Sequence, residues 1–130
     1  LISLRLLNLN QNNIKIIKDS YFNCLENLEI LFLSTNTIKS IEPNSFYNLK
    51  NLNRLDLTFN EIYELDSNTF RNLFSLQMLY LSYNYLKEID KKTFLDLINL
   101  KDLKISNNQL DSIDNKIFYN LSMIQSIELD

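Results

Sequence analysis

The sequence predicts an α/β solenoid, with a parallel β-sheet along one face and short helical or 3₁₀ turns along the other. Three observations predict it. Apolar positions recur every 24 residues through the 130-residue chain, and internal repetition takes precedence over any other reading. Each unit carries a short alternating Leu-x-Leu stretch, as a strand with one buried face does. No unit carries a long amphipathic helix, so each returns to its next strand by a short path.

Counted from Leu4, position 1 of the unit holds Leu4, Leu28, Leu52, Leu76 and Leu100. Positions 4, 6, 11, 14 and 22 hold only Leu or Ile in all five units, beginning at Leu7, Leu9, Ile14, Ile17 and Leu25. The repeats are therefore 4–27, 28–51, 52–75, 76–99 and 100–123, with partial units 1–3 and 124–130. Leu1 falls at position 22 of a preceding unit, and Ile124, Ile127 and Leu129 open a sixth. A solenoid unit buries its apolar layer only against its neighbours. The chain is accordingly expected to be a piece of a longer protein, with further repeats or caps at both ends. Alone it is expected to dissolve poorly or associate end to end.

The elements follow in order along the unit. In the strand, positions 4 and 6 point inward and positions 3, 5 and 7 point outward. Position 9, in the turn that follows, is always Asn: Asn12, Asn36, Asn60, Asn84 and Asn108. A buried turn leaves backbone groups without partners, at a cost in free energy. An amide side chain both donates and accepts, so each Asn is expected to bridge its own turn and the next one, as one rung of a ladder. Position 19 is always Phe: Phe22, Phe46, Phe70, Phe94 and Phe118. These rings are expected to fill the wider interior opposite the sheet and pack on one another. Position 15 reads Lys18, Glu42, Asp66, Asp90 and Asp114. An acid there suits the start of a one-turn helix or 3₁₀ turn.

Composition narrows the chemistry. The formal net charge is −3, with both signs interspersed, so no phosphate-tracking surface is indicated and no nucleic acid is expected as partner. The chain has no Gly and no His. Glycine-rich phosphate loops are excluded, and the commonest general base and metal ligand is absent. No apolar run is long enough to span a membrane, and no membrane contact by this segment is expected. No nucleophile has a suitable base, so no catalytic residue, cofactor or metal site is assigned and the segment is read as non-enzymatic. The lone Cys24 is read as a half-buried small residue.

The pattern LxxLxLxxNx(I/L)xx(I/L)xxxxFxxLxx resembles the leucine-rich repeat in its 24-residue form, over the whole chain. That resemblance implies a horseshoe segment whose parallel sheet lines the concave face. It also implies the extracellular type of repeat, similar to Toll-like receptors, neuronal adhesion proteins and small matrix proteoglycans. A receptor, adhesion or secreted matrix protein with a protein partner at the concave face follows as the expected function. An intracellular adaptor or scaffold, or the recognition arm of a larger enzyme such as a receptor kinase, is the alternative.

Function is expected in the outward columns, where the fold is indifferent to residue type. Position 3 carries Ile30, Arg54, Met78 and Asp102, and position 5 carries Phe32, Asp56, Tyr80 and Lys104. Aromatics with Arg and Met, rimmed by charge, have the composition of protein interface hot spots, although scattered apolar surface residues are also normal. These eight residues are the candidate partner-binding set. Phe59 and Tyr83, just before the ladder Asn, are expected to pack their rings over the turn. Asn120-Leu121-Ser122 is the one glycosylation sequon, which makes Asn120 a possible attachment site on the convex side.

Overall fold

The computed structural model describes residues 3–130. Leu1 and Ile2, and with them most of the partial unit 1–3, lie outside the described residues. Strands β1 (Leu6–Asn8), β3 (Ile30–Phe32), β5 (Arg54–Asp56), β6 (Met78–Tyr80), β7 (Asp102–Lys104) and β8 (Ser126–Glu128) form one six-stranded parallel sheet, in that order. Each residue pairs with the residue 24 later: Leu6 with Ile30, Ile30 with Arg54, Arg54 with Met78, Met78 with Asp102 and Asp102 with Ser126. The period of the sequence is thus the register of the sheet.

The alternation of the strands decides what is buried. Leu31, Leu33, Leu55, Leu57, Leu79 and Leu81 are fully buried, while the residues between them are half-exposed. Below the sheet the Phe rings stack from unit to unit. Phe22–Phe46, Phe46–Phe70 and Phe70–Phe94 lie 5.9, 6.3 and 6.2 Å apart between ring centroids. Among the described residues the stack ends at Phe94. Phe118 packs against the core but is partly exposed, because the unit that follows it contributes only a strand.

Position 8 is where the chain leaves the strand, and there it turns left-handed in every unit. Gln11, Thr35, Phe59, Tyr83 and Asn107 have φ of 55, 55, 55, 58 and 55°. A chain without glycine places side-chain-bearing residues in a conformation they resist. Hydrogen bonding offsets the cost. Each of these N–H groups donates to the position-7 carbonyl of the next unit in the first four cases: Gln11 to Ser34, Thr35 to Thr58, Phe59 to Ser82 and Tyr83 to Ser106, at 3.0–3.1 Å.

The ladder asparagines reach backward rather than forward. Asn60 Nδ2 donates to Leu57 O of its own turn and to Leu33 O of the preceding unit, and its Oδ1 accepts from Ile38 N, also in the preceding unit. Asn36, Asn84 and Asn108 repeat the arrangement. The partner is the preceding turn and not the following one expected from the sequence. Asn12, exposed at the first turn, donates to Leu9 O and Asn10 O alone.

The return path is made of turns. Asp66, Asp90 and Asp114 accept from the backbone N two residues on, as capping acids do. Only the last of these turns, Asn115–Phe118, is regular enough to be a 3₁₀ helix among the described residues. Glu42 instead accepts from Asp19 N of the preceding unit, its longer side chain reaching past its own turn. Two features of this side were not expected from the sequence. A second parallel pair joins β2 (Ile16–Ile17) to β4 (Ser40–Ile41). Position 18 is also buried, at Ser45, Thr69, Thr93 and Ile117. Ser45 Oγ bonds Glu42 O and Ile17 O, whereas the Thr69 and Thr93 hydroxyls are buried without a partner.

At the first described unit, Leu4, Leu7, Leu9, Ile14, Ile17 and Phe22 help line an apolar hollow of about 710 Å³. At the other end β8 is exposed along its length, with Ile127 and Leu129 open to solvent. Cys24 is exposed and not half-buried, because position 21 faces away from the core.

Candidate partner-binding face

The sheet sets the candidate residues in two columns. Position 3 aligns Ile30, Arg54, Met78 and Asp102, and position 5 aligns Phe32, Asp56, Tyr80 and Lys104. All eight are half-buried. Strand spacing of about 4.8 Å brings each side chain against its neighbours in the adjacent units.

Arg54 leaves its own column and lies between two rings. Its guanidinium carbon is 5.0 Å from the Phe32 centroid and 5.1 Å from the Tyr80 centroid. The ring quadrupoles attract the cation from both faces. Lys104 Nζ lies 5.4 Å over the other side of the same Tyr80 ring and 3.4 Å from Glu128 Oε2. Tyr80 Oη donates to Asp102 Oδ2 at 2.8 Å. Phe32, Arg54, Tyr80, Lys104 and Asp102 are therefore one contact-linked group. Asp56 stands beside it, with Oδ1 accepting from Thr58 N at 3.0 Å. Ile30 and Met78 supply partly exposed apolar surface in the neighbouring column without a polar role.

Two groups in this network titrate away from their ordinary values. Burial raises the Tyr80 pKa, and the bond to the Asp102 carboxylate adds to the rise. The hydrogen bond from Ser106 holds the Glu128 carboxyl below its usual value, and the contact with Lys104 adds to that.

Position 7, expected to point outward, is half-buried at Asn10, Ser34 and Thr58 and exposed at Asp130. Ser82 and Ser106 are buried, with their hydroxyls 3.1 Å apart, and Ser106 Oγ donates to Glu128 Oε1 at 2.9 Å. Sequence reading left Ser82, Ser106 and Glu128 out of the candidate set. The signal for the two serines was only that column 7 is small and polar almost throughout, and Glu128 stands at position 5 of the last strand.

Phe59 and Tyr83 stack on each other, with centroids 4.3 Å apart. They are 53% and 47% exposed.

Asn120 is exposed and far from the sheet, and its Nδ2 donates to Leu95 O at 3.3 Å. The same reach to the previous unit is made by Asn51 to Glu26 O, Asn72 to Tyr47 O and Asn99 to Phe74 O. This second set of asparagines went unrecognised in the sequence, since it is split between positions 21 and 24. Among the described residues no cluster of His, Cys, Asp or Glu is arranged to hold a metal, and no helix is long and apolar enough to cross a membrane.

Comparison with known proteins places this geometry. The leucine rich repeat family profile matches residues 2–62, 50–94 and 74–130. The crystal structure of the TLR13-ssRNA13 complex superimposes with a TM-score of 0.94 at 35% identity, covering 100% of this chain and 18% of that one. The crystal structure of the leucine-rich repeat domain of APL1B superimposes with a TM-score of 0.89 at 26% identity, covering 99% of this chain and 38% of that one. The chain thus spans well under half the length of either. No curated protein sequence matches it.

Proposed function

The chain belongs to the leucine-rich repeat family, and from that premise we propose that it is a protein-recognition segment of a receptor, adhesion or secreted matrix protein, binding through its concave sheet. The observation that carries the reading is the Phe32–Arg54–Tyr80 stack with its attached Lys104 and Asp102. A half-buried Arg fixed between aromatic rings, beside apolar Ile30 and Met78, is pre-organised for an interface, and pre-organised side chains lose little entropy on binding. The likeness to TLR13 supports a receptor and an extracellular location.

The test is capture of purified extracellular ectodomains by the chain and by a variant with Phe32, Arg54, Asp56, Met78 and Tyr80 all replaced by Ser. Loss of a captured ectodomain with an unchanged circular dichroism spectrum is expected. Capture that survives all five substitutions sinks the reading.

The TLR13 structure is a complex with single-stranded RNA, which supports RNA as a second reading. Exposed stacked rings such as Phe59 and Tyr83 are surfaces on which bases stack. The carboxylates Asp56, Asp102 and Glu128 on the same sheet face oppose a phosphate backbone. Salt-dependent binding of single-stranded RNA that disappears in Phe59→Ser/Tyr83→Ser would favour this second reading over the first.

A further inference from the structure

We propose that the partner's anchor is a carboxylate side chain flanked by basic residues, received end-on by the guanidinium fork of Arg54. This rests on the protein-recognition reading above and names the chemistry of the partner at that face. Among the described residues Arg54 has no carboxylate within ion-pair distance, unlike Arg5, Lys39 and Lys104, and its buried Nε has no acceptor. Phe32 and Tyr80 flank the guanidinium, with ring centroids 5.0 and 5.1 Å from its carbon, which leaves its outer end for a ligand. A rigid, partly desolvated fork of parallel N–H groups matches the two oxygens of a carboxylate.

The surrounding charges select the rest of the motif. Asp56 follows Arg54 in the same strand, and Asp102 lies two strands away in the same column, about 10 Å distant. Neither forms an ion pair with Arg54; Asp56 accepts from Thr58 N and Asp102 from Tyr80 Oη, and both keep their charge. Lys104 is already paired with Glu128. The face therefore offers one unpaired cation among carboxylates. A polyanion meets repulsion at Asp56, Asp102 and Glu128, whereas a lone carboxylate between two cations meets attraction at each point. Alternate residues of an extended peptide share a face and lie about 7 Å apart, so Lys-Ser-Glu-Ser-Lys presents these charges at suitable spacing.

The chain can be tethered sparsely through Cys24, which is exposed and away from the sheet face, so that copies cannot associate. Surface plasmon resonance then compares acetyl-Lys-Ser-Glu-Ser-Lys-amide, its Glu-to-Gln analogue and an oligouridylate. The Glu peptide is expected to bind about tenfold more tightly than the Gln analogue, the scale of a charge-assisted bidentate contact. Arg54→Gln should erase that difference. Arg54→Lys, which keeps the charge without the fork, should shrink it. Arg71→Gln, on the convex turn, should leave it unchanged. Equal binding of the two peptides, binding of neither, or tighter binding of the oligouridylate overturns the inference. If the peptides fail while the five-serine variant still loses its ectodomain, the inference falls and the recognition reading stands. If ectodomain capture ignores the five substitutions, both fall.

Discussion

Asn60 uses its amide on both sides of a unit boundary, donating to Leu33 O and Leu57 O and accepting from Ile38 N. Removing it strands the buried Ile38 N, while Leu33 O and Leu57 O fall back on Asn36 Nδ2 and Asn84 Nδ2 alone. Asn60→Ala is expected to destabilise the chain by about 2 kcal/mol in denaturant unfolding, and Asn12→Ala, at the exposed first turn, by far less. The opposite sign is expected at Thr69, whose buried hydroxyl has no partner. Thr69→Val removes the unpaired group at nearly constant shape and should be neutral or stabilising by up to about 1 kcal/mol. Tyr80 gives a pH signature. Its folded pKa is raised, chiefly by burial, so the folded chain binds more protons than the unfolded one above the ordinary tyrosine range. The stability it contributes is complete below the unfolded pKa and is lost as pH rises through the folded one. Ultraviolet titration should show one of the seven tyrosines ionising late, and Tyr80→Phe should remove that step.

Each unit is a strand, a left-handed corner and a return of turns, and the corner is its strained point. Thr35 is the least suited of the five corner residues, since a β-branched side chain crowds the left-handed backbone. Its side chain is exposed, so nothing is gained by keeping it. Thr35→Asn is expected to raise stability by about 0.5–1 kcal/mol in thermal or denaturant unfolding. An unchanged or lowered midpoint would show that the left-handed residue is not strained. Phe59 and Tyr83 occupy the same corner but stack on each other, so the strain of their backbone is partly offset by the ring contact.

Among the described residues, strand contacts run only between neighbouring units, so stability grows with the number of stacked layers. The described surface includes an apolar hollow beside Leu7 and Leu9 and the exposed Ile127 and Leu129. The 130-residue chain is expected to self-associate as its concentration rises, seen as a growing sedimentation coefficient. Leu7→Lys with Ile127→Lys should suppress it. A monomer at every concentration would contradict this.

The sequence by itself determined the solenoid, the 24-residue register and the identity of the inward columns. All three depend on period, and a period needs only local spacing to be visible. Asn36, Asn60 and Asn84 were legible as turn residues for the same reason. Their direction was not, because a side chain's choice between the preceding and following unit depends on how the turn rises. Nor could the columns show that Arg54 crosses to lie between Phe32 and Tyr80, that Ser82 and Ser106 are buried against each other, or that Asn51, Asn72 and Asn99 form a second set of rungs. These outcomes join residues about 22 to 26 apart in sequence, and they exist only once stacking has brought the units within about 4.8 Å of one another. Tertiary structure therefore decided the site, because each of its contacts crosses from one unit to the next.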